Sequence, residues 1–275
     1  VLALIAPSIV FMTLLFAYPL VIGVMAAFTS DAGGFTLANV TRMVTDTKFW
    51  PAVRNTMLLI VVIIPLQFVF ALVMALLLQA KPKGSGFYFY FWAIPLAVSD
   101  LAAGLVWLSV FADRGYLNSV LANLGIEPIS WLNYQSTGTM FFAIVCAEVW
   151  RATALVLVIV VSGMQGIPKD YDEAAAVFGA TYWQRLWSVT MPLLKPSLQV
   201  ALILRTIYAF QTFAVAQALT GENFPVLVGE TYRWYAFLSN PNVASVWALL
   251  IMAVSMVTAF IYLRLLRDTS RVGAR

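Results

Sequence analysis

Six apolar runs, each long enough to cross a lipid bilayer, fill most of this sequence and leave little room for anything else. They cover residues 2–28, 52–79, 87–111, 139–163, 197–219 and 243–266. A bilayer core takes about 20 apolar residues of helix, and more where the helix tilts. The connections between the runs are at most about 20–30 residues, too short for a further domain of typical size. The expected fold is an all-α integral membrane protein, one domain over residues 1–275 with six transmembrane helices. Pro19, Pro65 and Pro95 fall inside the first three runs. Neighbouring helices can re-satisfy the carbonyls they free, so kinks rather than breaks are expected there. The chain opens on an already apolar Val1, and its first run outlasts a signal peptide. We read it as a span whose polar leader is missing.

Composition excludes several chemistries. Only 10% of the 275 residues are charged, and 62% are hydrophobic. A soluble domain carries about 25% charged residues. There is no histidine, so a Ser-His-Asp triad and histidine-based zinc sites are ruled out. The single cysteine, Cys146, can form no intrachain disulfide and has no histidine to activate it. No nucleophile–base pair suggests an intramembrane enzyme. The sequence contains neither a GxxxxGK[ST] loop nor a GxGxxG fingerprint. If ATP drives this protein, another chain binds it.

Lysine and arginine set the orientation. With both termini cytoplasmic, the inside holds Lys81, Lys83, Lys169, Arg185, Lys195, Arg264, Arg267, Arg271 and Arg275. The outside holds Arg42, Lys48, Arg54, Arg114 and Arg233, together with the acids Asp31, Asp46, Asp113, Glu127, Glu222 and Glu230. The basic excess falls inside, so this orientation is favoured. Topology thus accounts for the net charge of +4, and no basic cluster suggests a nucleic-acid partner.

The cytoplasmic segment at about 168–196, between spans four and five, is the one long amphipathic insert. Pro168 and Asp170 are expected to open a short helix, with Asp170 and Glu173 spaced as a capping box. Ala174, Ala175 and Ala176 favour helix without bulk. Gly179 stands where a left-handed helix stop belongs. Thr181 and Gln184 form a second capping box. A further helix is expected from Tyr182 to about Thr190, with Trp183, Leu186 and Trp187 as its apolar stripe. Pro192 and Pro196 are expected to end it and start the next span. Two readings fit: a helix pair resting among lipid headgroups, or a foot gripped by another protein. Small residues and a lone Glu173 on the first helix favour the second.

Here a family resemblance becomes specific. Glu173-Ala174-Ala175, three residues, Gly179, nine residues and then Val189-Thr190-Met191-Pro192 resembles the EAA motif of permease subunits in bacterial ABC importers. The family pattern is EAA-x3-G-x9-I-x-L-P, with valine and methionine here as apolar exchanges. The flanks IPKDYDEAA, FWPAVRNT (49–56) and RTIYAFQTFAVAQALTG (205–221) are similar to the maltose-type sugar branch. One departure is LTGENFP (219–225), where that branch often reads LTGGGP.

The resemblance implies a division of labour. The loop would be a coupling element seated in a cytoplasmic ABC ATPase dimer, which binds ATP and Mg; this chain would bind no cofactor. Glu173 would anchor it and Gly179 permit its bend, with Ala174, Ala175 and Pro192 as steric parts. The partners implied are a second permease subunit, the ATPase dimer and an extracytoplasmic solute-binding protein. The setting implied is the multi-pass cytoplasmic membrane of a bacterium or archaeon, and the solute a sugar. An importer for another solute, such as a polyol phosphate, stays open, as does an ion-coupled carrier.

Counting along the spans places Asp100 mid-span in the third, Glu148 and Arg151 in the outer-to-middle part of the fourth, and Tyr208 and Gln211 mid-span in the fifth. Arg205 is expected nearer the cytoplasmic end. A charge at the bilayer centre costs about 2.5–3.5 kcal/mol on insertion scales, so these residues should face a bundle interior or a watery path. Glu148 and Arg151 lie three apart on one helix face, and Arg151 can also serve Asp100. The cluster reads either as a structural network or as a polar lining for a solute, with Trp150 adding a ring for a sugar face. Residues 117–124 and 129–132, with Trp131, read as interfacial anchors or as surface for a binding protein.

Overall fold

The computed structural model describes residues 2–30 and 33–265, with the side chains of residues 2, 3 and 265 left aside. Asp31, Arg267, Arg271 and Arg275, and the last residue of the expected sixth span, lie outside the described residues. Fourteen α-helices with short π and 3-10 segments make up the described architecture, in the order α1 (Leu2–Met12), α2 (Tyr18–Ala27), α3 (Ala38–Thr45), α4 (Phe49–Gln79), α5 (Ser85–Ala93), α6 (Asp100–Phe111), α7 (Tyr116–Asn123), α8 (Thr137–Gln165), α9 (Lys169–Val177), α10 (Tyr182–Arg185), α11 (Met191–Phe210), α12 (Ala214–Thr220), α13 (Leu227–Tyr232) and α14 (Pro241–Leu265). Among the described residues, five continuous helical segments are long and apolar enough to cross a membrane: Leu4–Ala27, Phe49–Gln79, Thr137–Gln165, Tyr182–Phe210 and Pro241–Arg264. The third expected span is instead a pair, Ser85–Ala97 and Asp100–Asn123, bent by 102°.

The prolines divide into those the helices absorb and one that marks a break. Pro19 and Pro192 each follow a five-residue π turn, Thr13–Ala17 and Leu186–Thr190. In each, the closing N–H reaches back five residues, Tyr18 to Thr13 and Met191 to Leu186. The widened turn relieves the clash between the proline ring and the preceding carbonyl, so the helix continues. Pro65 sits within the unbroken 31-residue α4. Pro95 differs: it is buried in a 3-10 segment, Ile94–Ala97, and a new helix start follows immediately. There Ser99 Oγ accepts from Ala102 N at 3.2 Å and caps α6. A stop and a start placed together turn a kink into a break.

The expected course of the fifth span also needs correction. Its helix begins at Tyr182, not near 197, and α10, the π turn and α11 form one 29-residue rod. Pro192 therefore does not end a helix. The rod stops at Phe210, and the chain turns through Gln211–Phe213 before α12.

The chain forms two compact units. The first comprises residues 1–56 and 225–256. Polar ties join its two chain segments: Asn39 Nδ2 donates to the carbonyls of Ala27 and Thr29 within the first, and the Leu227 N–H donates across to Thr56 Oγ1 at 3.1 Å. Arg233 bridges Asp46 at 2.6 Å and Glu230 at 2.5 Å. Phe49 packs its ring 5.5 Å from Trp247, which is fully buried.

The second unit comprises residues 57–224 and 257–275 and holds every candidate residue. Its core joins α4, α8 and α11 through Ala71, Ala75, Val156, Leu157, Val160, Met164, Leu194 and Ala201. Small residues let these helices approach closely, as in membrane bundles generally. A Cβ on Gly104 would fall 2.6 Å from the Cβ of Ala218, so α6 and α12 lie nearly backbone to backbone. Trp131 is held rather than left as a free anchor. Its Nε1 donates to Asn118 Oδ1 at 3.1 Å, and its ring lies 5.7 Å from Phe111 and 6.0 Å from Phe142.

Candidate functional site

The intramembrane charges meet in a single chain of bonds within the second unit. Arg151 Nη1 donates to Asp100 Oδ1 at 2.7 Å, and Arg151 Nη2 donates to Glu148 Oε2 at 3.1 Å. One arginine thus serves both carboxylates, as the spacing along α8 suggested. Gln67 was missed, and Arg205 was named but not joined to the pair. Arg205 Nη2 donates to the same Glu148 Oε2 at 3.1 Å, and Arg205 Nε donates to Gln67 Oε1 at 2.6 Å. Gln67 Nε2 in turn donates to the backbone carbonyl of Glu148 at 2.9 Å. The expectation that Arg205 lies toward one end of its span is corrected: it stands level with Glu148. Counting from residue 197 misplaced it, because the helix starts at Tyr182. The available signal was a charged Arg205 and a polar Gln67 inside apolar runs, both of which require partners in lipid.

Burial separates this cluster into two halves. Gln67, Glu148 and Arg205 are 0–1% exposed, and their two formal charges cancel. They make a structural joint between α4, α8 and α11. The other half is open: Asp100 keeps 53% of its side chain exposed and Arg151 18%. Asp100 is also the first residue of α6, where a carboxylate complements the helix N-terminus. Tyr208 and Gln211 are exposed; Tyr208 lies in the last turn of α11 and Gln211 is the residue that caps its end, not mid-span as expected. Trp150 is partly exposed, its ring 6.1 Å from Trp107. Asp100 and Gln211 stand at helix breaks, Tyr208 in the last turn of α11, and Trp150 and Arg151 within α8, so a carboxylate, an amide, a phenol, an indole and a guanidinium edge reach the surface; of these, Asp100 and Arg151 are joined directly. Such a set can donate to and accept from hydroxyl groups and can stack on apolar sugar faces.

The loop forms the second candidate site. Helix α9 starts at Lys169, with Pro168 at its cap position and no side-chain cap bond. The expected Asp170–Glu173 capping box is therefore absent: Asp170 already lies inside the first turn, where its charge favours the helix N-terminus. At the other end Gly179 is left-handed, with φ +79°. The Ala180 N–H donates to Ala175 O, and the Gly179 N–H to Ala176 O, both at 3.0 Å. This bond pair is a Schellman stop, which needs a residue at ease with positive φ. The Thr181–Gln184 capping box forms as expected. Arg185 Nη1 bonds Asp172 Oδ2 at 2.7 Å and fixes the angle between α9 and α10. The expected apolar stripe divides: Leu186 is buried, whereas Trp183 and Trp187 are exposed.

Glu173 and Ala174 are exposed, Ala175 is half-buried, and Pro192 is exposed in the first turn of α11. Val177 and Phe178, at the tip of α9, are 85% and 90% exposed. Behind the loop lies a cleft of about 740 Å³, bordered by the last turns of α4 and α8 and reaching Glu173 and Arg185.

Residues 67–271 match the family described as binding-protein-dependent transport system inner membrane component. The chain is 32% identical to the sulfoquinovosyl glycerol transport system permease protein of Agrobacterium fabrum, over 96% of this chain and 89% of that one. It is 42% identical over 129 residues to the trehalose/maltose transport system permease protein of Thermococcus litoralis, a match spanning 46% of this chain and 43% of the other. Among solved structures, a chain of a bacterial ABC transporter involved in importing the acidic polysaccharide alginate superposes with a TM-score of 0.82. That likeness covers 99% of this chain and 95% of the other at 18% identity, and so speaks to the fold. The matched family spans the intramembrane cluster and the loop alike, and the chain belongs to the inner membrane components of binding-protein-dependent transport systems.

Proposed function

We propose that this chain is a membrane-spanning subunit of an ATP-driven importer for a carbohydrate delivered by an extracytoplasmic binding protein. It pairs with a second permease subunit and sits on a cytoplasmic ATPase dimer that binds ATP and Mg; this chain performs no covalent chemistry. The observation that carries the reading is the loop. A stiff, Schellman-stopped helix presents Glu173, Ala174, Val177 and Phe178 outward, and its neighbour is the first turn of a 29-residue rod. A docked motor that displaces this foot moves a continuous lever into the span bundle, a rigid-body transition in mechanical terms.

Orientation follows from charge. Lys81, Lys169 and Arg185 border the cleft behind the loop, and this basic excess supports a cytoplasmic loop and, with six spans, cytoplasmic termini. Exposed polar and aromatic side chains along the spans support the solute class. Asp100, Arg151, Trp150, Tyr208 and Gln211 provide hydrogen-bonding groups and rings suited to a polyhydroxylated solute. The two relatives are named for the transport of sulfoquinovosyl glycerol and of trehalose and maltose, which agrees with that chemistry.

The test is a pair of variants in the reconstituted transporter. Glu173→Arg is expected to abolish transport and binding-protein-stimulated ATP hydrolysis while the chain still inserts. Gly179→Leu should act likewise, because a left-handed conformation costs an ordinary residue about 1–2 kcal/mol and the stop would unwind. Wild-type transport by both variants would remove the coupling role of the loop.

A further inference from the structure

We infer that Arg205 is a positioning residue which links solute occupancy at Asp100 to the position of the helix Tyr182–Phe210. The inference rests on the transport reading above and adds a coupling element within the membrane. Glu148 Oε2 is shared: Arg151 Nη2 and Arg205 Nη2 both donate to it at 3.1 Å. Glu148 Oε1 receives only a long contact of 3.4 Å from Arg151. Meanwhile Arg205 Nη1 and Arg151 Nε are buried without a hydrogen-bond partner. Two donors are left over while one acceptor is doubly used. Donors buried in this way favour any rearrangement that gives them acceptors.

Two such arrangements are within reach of the groups present. In one, Arg151 withdraws onto Asp100 and Arg205 forks both oxygens of Glu148. In the other, Arg151 withdraws onto Glu148, Asp100 is released, and Arg205 loses its share of the carboxylate. Forked guanidinium–carboxylate pairing is the stronger geometry, so each arrangement is a distinct well rather than a point on a continuum. A solute hydroxyl bonded to Asp100 competes with Arg151 and selects the second. Arg205 and the loop helix belong to the same rod, with Tyr182 and Arg205 about 35 Å apart at 1.5 Å per residue. Weakening Arg205 at Glu148 frees that rod to follow the foot, and a foot displaced by a motor reverses the sequence. This supplies the two-state element that coupling between distant sites requires.

The experiment measures ATP hydrolysis by the complete reconstituted transporter, with and without its solute-loaded binding protein, for wild type, Arg205→Lys and Asp100→Asn. Lysine cannot fork a carboxylate, and asparagine cannot hold Arg151 by charge, so both variants should rest in the released arrangement. Each is expected to raise solute-independent ATP turnover at least about fivefold, the low end of allosteric coupling factors. Solute moved per ATP should fall correspondingly. Unchanged solute-independent turnover in an assembled variant, even with impaired transport, overturns the proposal and leaves Asp100 a plain contact. If Arg205→Lys does not assemble, Asp100→Asn decides alone, since its side chain is largely exposed. Wild-type turnover that ignores the loaded binding protein would sink the transport reading itself, a separate outcome.

Discussion

Glu148→Gln is expected to be the most destabilising single change in the spans, at about 3–5 kcal/mol, the usual cost of removing one partner from a buried ion pair. The carboxylate is 1% exposed and neutralises Arg205, itself 1% exposed. Glutamine leaves a guanidinium inside the bundle with only Gln67 to accept from its Nε. Arg151 is spared, because it keeps Asp100 at 2.7 Å. Thermal unfolding in detergent reads the loss. The cause is isolated by adding Arg205→Met, which removes the stranded charge. The double variant is expected to recover most of the lost stability, because apolar replacement of a buried pair is often close to neutral. A double variant no more stable than Glu148→Gln alone would show that the joint matters for shape rather than charge.

Gly104→Val is expected to have the next largest effect, a loss of about 1–3 kcal/mol from overpacking together with loss of transport. The first added carbon lands 2.6 Å from the Ala218 Cβ and 3.2 Å from the Val215 Cα. Neither is the end of a flexible side chain, so α6 and α12 must separate. Both helices adjoin the chain breaks that display Asp100 and Gln211, so separation displaces the open half of the site. Adding Ala218→Gly opens room on the facing helix and should restore a substantial part of both stability and transport. Failure of that second change to help would mean that the Val215 backbone, not the alanine methyl, sets the limit.

Several features are legible in the chain because their physics is local. A backbone in lipid must close its hydrogen bonds within a helix, so four of the six apolar runs correspond to continuous membrane-length helices, and the fifth overlaps one in part. Gly179 stops α9 because few other residues accept its φ, and Thr181 with Gln184 caps the next helix through neighbours three apart. Arg151 meets Glu148 on one helix face. Local signals also misled. Asp170 and Glu173 have capping-box spacing, yet Pro168 starts the helix earlier and takes the cap position. Pro192 reads as a helix stop, but a π turn before it carries the rod through.

The sequence by itself determined a membrane bundle with a capped helical loop, because the cost of exposing backbone and charge to lipid acts on each segment alone. Tertiary structure alone decided that Arg205 and Gln67, 138 residues apart, share a joint with Glu148. A buried charge requires some partner, but which one depends on packing between helices that no local pattern encodes. The division between a sealed joint and an open Asp100 edge is likewise a property of burial, which exists only once the helices have met.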